Sequence, residues 1–250
     1  MAIKSFKRFE KKFILTNEQY NKLLPILLDY MNLDKHCKLG ENYNIYNIYY
    51  DTLNNDVIRH SISKPYYKEK LRLRSYNIPN SLDDKVFLEL KKKINGIVNK
   101  RRVVMTLGEV YDFLENGKKP NFDDYENNQV IKEIEYYLSK NKVYPNVYIG
   151  YSRKALFGKE DKDFRVTFDS EITGRRNDLY LTSGCFGYDI LGQNKYLMEV
   201  KILGAIPVWF TKILSELEIY NKKDSVVNSA NELEESVYCL NDIKRSLKIC

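Results

Sequence analysis

Lys68, Lys70, Arg72 and Arg74 constrain this chain more than any other feature, because they occupy every second position of Tyr67–Tyr76 and alternate with Glu69, Leu71, Leu73 and Ser75. Residues two apart on a strand share a face, so the spacing predicts a strand with a basic face and a largely apolar back. Cations in a row repel, and a solvated face usually intersperses acids, so a purely basic row calls for an anionic ligand.

The pattern recurs along the chain. Arg8, Glu10 and Lys12 share a face opposite Phe9, Phe13 and Leu15, and Glu89, Lys91 and Lys93 oppose Val86, Leu88 and Leu90. Lys100 pairs with Arg102, Arg153 and Arg165 follow singly, and Glu199 comes with Lys201. Taken alone, any one of these strands could be an ordinary solvated face. When nearly every strand is charged on one side, the sheet is expected to close with that side inward and helices covering the apolar outside. Such a lumen needs counter-charge, which phosphates supply; arginine grips their oxygens in pairs and lysine as a point charge. The excess of 41 Lys and Arg over 34 Asp and Glu, a net charge of +7, agrees with an anionic partner without choosing one.

Strand-like alternation runs over Phe6–Leu15, Tyr43–Asp51, Tyr67–Tyr76, Lys85–Lys93, Ile97–Met105, Val147–Leu156, Phe164–Asp169 and Tyr196–Ile202. Helical spacing marks Asn17–Met31 behind the N-cap candidate Thr16, then Leu107–Asn116, Glu126–Ser139, Pro207–Tyr220 and Asn231–Leu247. With no Pro-, Ser- or Gly-rich linker, residues 1–250 are expected to form a single α+β domain, an eight-stranded antiparallel β-barrel with helices packed on its outside.

Several other classes are disfavoured. The four cysteines, Cys37, Cys185, Cys239 and Cys250, form no CxxC pair, which points to a reduced, cytoplasmic setting rather than to disulfides or zinc. His36 beside Cys37 is half of a metal site at most, and reads more simply as a loop pair. The longest apolar segment, Leu23–Leu28, contains Pro25 and is too short to cross a bilayer. Neither a P-loop, a GxGxxG turn nor a kinase signature is found, so side chains must do any nucleotide gripping. Glu10, Glu89 and Glu199 interrupt the basic field. Each either pairs with neighbouring cations or holds a divalent cation that bridges phosphate oxygens, and Glu199 is the first choice for the second role.

These residues, in this order, resemble the VTC domain, a branch of the CYTH-like triphosphate tunnel metalloenzyme superfamily. The carriers are Arg8-Phe9-Glu10-Lys11-Lys12-Phe13, Tyr49-Tyr50-Asp51-Thr52, Lys68 to Tyr76, Glu89-Leu90-Lys91, Lys100-Arg101-Arg102, Tyr151-Ser152-Arg153, Phe164-Arg165, Glu199-Val200-Lys201 and Gly204 to Trp209. The resemblance implies a tunnel that passes the γ-phosphate of ATP to a growing polyphosphate chain, releasing ADP, with Mn²⁺ or Mg²⁺. It implies catalytic phosphate contacts at Lys12, Arg72, Arg74, Lys91, Lys100, Arg153 and Arg165, and metal binding at Glu199. Arg8, Lys68, Lys70, Arg102 and Lys201, on the same faces, are further phosphate-binding candidates, and Glu10 and Glu89 further metal candidates.

Three functions remain distinguishable. Triphosphatases and adenylyl cyclases of the superfamily open with Glu-x-Glu-x-Lys, whereas this chain has Arg8-x-Glu10-x-Lys12, which favours polymerase over hydrolase. In the other direction, polymerase members carry a late Ser-Phe-Ser-Lys-Tyr, and the matching stretch here, Ser225 to Ser229, places Asn228 at the lysine. A non-catalytic polyphosphate or nucleic-acid binder, with bases stacked on some of the 21 tyrosines, is the third. Nucleic acid is not expected, because Arg72 and Arg74 alternate with Leu71 and Leu73 as lumen residues would. The chain carries no membrane segment, which leaves a membrane-bound partner open.

Overall fold

The computed structural model describes residues 8–37, 40–95 and 97–220. In chain order the elements are β1 (Arg8–Thr16), α1 (Asn17–Tyr30), β2 (Met31–Leu33), β3 (Tyr43–Asp51), α2 (Asp56–Ile62), β4 (Tyr67–Ser75), β5 (Lys85–Ile94), β6 (Ile97–Thr106), α3 (Leu107–Asn116), α4 (Tyr125–Lys140), β7 (Tyr144–Gly158), β8 (Arg165–Arg175), β9 (Tyr188–Asp189), β10 (Lys195–Leu203) and α5 (Val208–Glu216). Described residues within 1–44, 151–173 and 188–250 form one compact unit, and those within 45–150 and 174–187 form a second.

In the first unit the strands run β1-β10-β8-β7, with β2 on β7 and β9 on β8. The β1–β10 and β10–β8 pairings are antiparallel. Phe13, Phe168, Met198, Val200 and Ile202 face a core closed by Leu23 and Leu27 of α1 and by Phe210, Ile213 and Leu214 of α5. Trp209 joins it through edge-on contacts with Phe164 and Phe210 and a stacked contact with Tyr30. Thr16 ends β1 and caps α1 in the same step: its hydroxyl accepts from the Gln19 amide while the Gln19 side chain accepts from the Thr16 amide. A cap of this kind contributes about 1 kcal/mol.

In the second unit the order is β7-β3-β4-β5-β6, with antiparallel pairing from β3 to β6. Leu71, Leu73, Leu88, Leu90, Val103 and Met105 turn to a core capped by Val110 and Phe113 of α3 and Ile131 and Ile134 of α4. Thr106 repeats the economy of Thr16, closing β6 and capping α3 with Glu109 as its partner. On this helix-covered face Lys92 bridges Glu69 and Glu133 of α4, and Glu133 also meets Arg101 Nε at 3.1 Å.

Arg175, 1% exposed, holds residues 176–186 in place. Its guanidinium donates to the carbonyls of Asp178, Tyr180, Gly184 and Phe186 and lies over the rings of Tyr148 and Phe186, at 3.6 and 4.2 Å from their centroids.

The antiparallel α+β architecture is therefore as expected, with eight strands on the two paths and β2 and β9 as short additions. Among the described residues β1 and β6 each pair with one neighbour. Strand limits coincide with the sequence reading at β3 and lie within three residues of it elsewhere, except at the end of β8, which runs six residues further. Helix α2 was not anticipated, because its first amides are capped from upstream, Val57 and Ile58 donating to the Asp51 carboxylate, while Asn55 at its start is left-handed and makes no cap bond. The anticipated helix Asn231–Leu247 and the stretch around Asn228 lie outside the described residues. Among the described residues no helix is long and apolar enough to cross a membrane.

Candidate phosphate-binding faces

Register alone builds the polar face of the second unit. Arg72 lies opposite Glu89, which lies opposite Arg102; one step along, Lys70 lies opposite Lys91 and Lys91 opposite Lys100; a step further, Lys68 meets Lys93. Like charges directly opposite destabilise a sheet, yet here they fill two successive rows. Glu89, 1% exposed, is the acid among these rows.

Glu89 engages four cations at once. Arg72 reaches Oε2 through both Nε, at 3.0 Å, and Nη2. On the other oxygen, Oε1, sit Arg102 and the Lys100 ammonium at 2.8 Å, while Arg74 Nε stands 3.9 Å from Oε2. Burial works against the ionised form, but Arg72, Arg74 and Lys100 together hold the Glu89 carboxyl well below the ordinary carboxylate range. Burial pushes the Lys100 ammonium in the other direction, down to about 8, against the attraction of Glu89 and with help from Arg102 and Arg74.

Neutral groups fix the arginines. Arg72 Nη1 donates to the Tyr49 phenol at 2.9 Å, Arg102 Nη2 donates to the Tyr76 phenol, and Arg102 also lies over the Phe87 ring. Arg74 Nε donates to Asn47 Oδ1, whose amide is oriented by its own bond to the Ile149 carbonyl. Lys68 is turned aside, its ammonium donating to the carbonyl and hydroxyl of Ser61 in α2.

The polar face of the first unit is balanced instead. Lys12 lies opposite Glu199, Glu10 opposite Lys201, Lys201 opposite Arg165, and Glu199 opposite Thr167. Lys12 meets Glu10 at 3.3 Å, Lys201 meets Glu199, Arg165 meets Asp34 at 3.6 Å, and Arg153 meets Asp169 through two contacts of 2.6 and 2.7 Å. Burial opposes ionisation of Glu199, but Lys12, Lys201 and Arg153 keep its carboxyl well below the usual range. Arg8 stands opposite Leu203 in the register of β1 and β10.

Divalent-cation chemistry fits part of this set. Mg²⁺ and Mn²⁺ take hard oxygen ligands, commonly one or two carboxylates completed by phosphate oxygens and water. Glu199 and Glu10 lie diagonally on adjacent strands, and the Thr167 hydroxyl, directly across from Glu199, is buried with no hydrogen-bond partner among the described residues. Among the described residues no group of three His, Cys, Asp or Glu converges, so these would contribute a pair of carboxylates. Glu89 offers a metal little, because cations already engage both of its oxygens; its geometry is that of the ion-pair alternative.

Sequence reasoning passed over Asp169, Asp34, Thr167, Asn47, Tyr49 and Tyr76. Five of these carried a signal in strand parity: Thr167 and Asp169 follow Arg165 on its face, Asn47 and Tyr49 precede Asp51 at the same spacing, and Tyr76 lies two beyond Arg74. Asp34 reaches Arg165 from a loop and had none.

The VTC domain family model matches residues 7–225. No curated protein matches the sequence significantly. Among solved structures, a Bacillus halodurans protein provisionally named an adenylate cyclase superposes with a TM-score of 0.51 at 16% identity, covering 86% of this chain and 92% of its own. A Vibrio parahaemolyticus protein with the same provisional name gives 0.48 at 13% identity over 92% and 98% of the two chains, and the Mimivirus capping enzyme triphosphatase gives 0.35 at 10% over 84% and 86%.

Proposed function

Because the chain belongs to the VTC domain family, we propose that it is an ATP-dependent polyphosphate polymerase that transfers the γ-phosphate of ATP to the end of a polyphosphate chain. The observation that carries the reading is the face of β4, β5 and β6, where rows of cations surround one carboxylate. Such a face suits anionic company, and phosphates match arginine forks and lysine point charges.

The reaction asks little of a general base. The terminal phosphate oxygen that attacks is already ionised near neutral pH, so the protein's work is to align donor and acceptor and to offset charge as it spreads over the transferring group. Arg72, Arg74, Lys91, Lys100 and Arg102 do this by binding phosphate oxygens in the second unit, and Tyr49, Asn47 and Tyr76 keep the guanidinium planes from turning. In the first unit Lys12, Lys201 and Arg165 are the phosphate contacts, whereas Arg153 is committed to Asp169 and acts chiefly by holding that strand face in order. Glu199, with Glu10, would hold Mn²⁺ or Mg²⁺, which would supply positive charge against the phosphates. A cytoplasmic setting, with ATP at hand, belongs to the same reading.

Incubation with ATP and Mn²⁺ tests it: ADP and long polyphosphate on a gel are expected, with Glu199→Ala strongly impaired. Orthophosphate without polymer would make the protein a triphosphatase. A Glu199→Ala variant as active as the parent would remove the carboxylate from the mechanism.

A further inference from the structure

The acid at the centre of the β4–β5–β6 face is placed where a phosphate group would be expected. We propose that Glu89 is a resident counter-anion: it stands in for a phosphate among Arg72, Arg102 and Lys100, keeps these cations arranged while the face is empty, and limits how tightly a polyphosphate substrate binds. The inference rests on the phosphate-binding reading of this face.

Three observations carry it. Arg72 directs both Nε and Nη2 at one Glu89 oxygen, donors that a phosphate oxygen could equally take. Burial is graded outward: the Glu89 side chain is 1% exposed, whereas those of Arg102 and Lys100 are 32% and 39% exposed, so an arriving anion meets the outer ends of the cations rather than the carboxylate. Finally, the carboxylate is shared. One carboxylate serves four cations, and the next row, Lys70, Lys91 and Lys100, is lysine on lysine.

A carboxylate in this place has two linked effects. Removing its charge takes away the carboxylate that Arg72, Arg74, Lys100 and Arg102 share, which weakens the empty protein. The same loss lets a bound anion recover what Glu89 had supplied, so ligand affinity rises as empty-state stability falls. A residue that merely scaffolds the site would lower both together.

Glu89→Gln distinguishes the two, with inorganic tripolyphosphate as ligand, chelator present to exclude metal, and titration calorimetry beside thermal melts. The expected result is a lower Tm without ligand and a Kd about tenfold smaller than the parent's, the worth of one charge-assisted bond. An equal or larger Kd overturns the proposal. Should the glutamine variant not fold, Glu89→Asp retains the charge but draws it back from Arg72, and a modestly smaller Kd is expected; an unchanged or larger one is again contrary. Absence of any tripolyphosphate binding by the parent protein would instead defeat the phosphate-binding reading itself, a result separable from either variant's.

Discussion

Arg153 and Asp169 face each other through two contacts, Nε to Oδ1 at 2.6 Å and Nη2 to Oδ2 at 2.7 Å, with side chains 13% and 6% exposed. Both charges are out of water, and each is tolerated because the other is there. Despite the cost of burying it, Asp169 holds the Arg153 pKa well above its ordinary value. Asp169→Ala should therefore cost about 3 to 5 kcal/mol, the usual price of an unpaired buried charge, read from the midpoint of urea unfolding. An Arg153→Met, Asp169→Leu double variant should recover most of it.

Thr167 shows the opposite economy. Its hydroxyl is buried without a partner among the described residues, directly across from Glu199. Thr167→Val keeps the shape and removes the unmet hydroxyl, so stability should rise by about 1 kcal/mol, seen as a Tm higher by about 2 to 4 °C for a chain of this size. If the hydroxyl serves ligand, the additional Tm gain from Mn²⁺ with tripolyphosphate should shrink in the same variant.

Two groups on the β4–β5–β6 face give opposite pH signs. Glu89 is ionised at lower pH folded than unfolded, so its stabilisation is complete above the ordinary carboxylate value of 4.5 and is lost as pH falls below it. Lys100, lowered from 10.5 to about 8, binds its proton more weakly folded than unfolded, so its contribution to stability rises with pH between those values. Phosphate binding runs the other way, since it needs the charged lysine. Tripolyphosphate affinity should fall from pH 7 to pH 9.5 more steeply in the parent than in Lys100→Arg, and calorimetry of the pair at each pH cancels the ligand's own titration.

Arg72→Ala and Arg74→Ala should each weaken binding of a non-hydrolysable triphosphate by about 1.5 to 3 kcal/mol, the value of charge-assisted bonds lost, in isothermal titration with the fold verified by circular dichroism. Unchanged affinity in both would take the ligand off this face.

Glu133 is the control for the face behind. It pairs with Lys92 and Arg101 on the side covered by α4. Glu133→Gln should lower stability by about 1 kcal/mol and leave triphosphate affinity as it was, because nothing on the phosphate side touches it.

Much of this was legible in the chain because strand parity is rigid. Lys70, Arg72, Glu89, Lys91, Lys100 and Arg102 could be assigned to charged faces from spacing alone, and register then set them side by side. Spacing could not say which partner each charge would choose. That Glu89 would gather four cations, while Arg153 would be taken by Asp169, depends on which strands become neighbours: β5 lies between β4 and β6, and β8 beside β7, an order that a one-strand pattern does not contain. Asp34 was invisible for a further reason, since a loop residue is placed by the course of its loop and not by a period. Helix α2 escaped because its cap comes from Asp51, several residues before its start, while Asn55 enters it with φ 59° and no side-chain bond.

Arg175 governs residues 176–186 through main-chain carbonyls at four positions and asks for a particular side chain only at the Tyr148 and Phe186 rings. Every amino acid carries a carbonyl, so the grip is indifferent to the identity of most residues it holds. Homologues are thus free to drift in sequence over much of this segment while it keeps its path, provided the arginine, its two aromatic neighbours, the buried Leu181 and Gly184 at positive φ stay; here an alignment would show variation and a superposition would not.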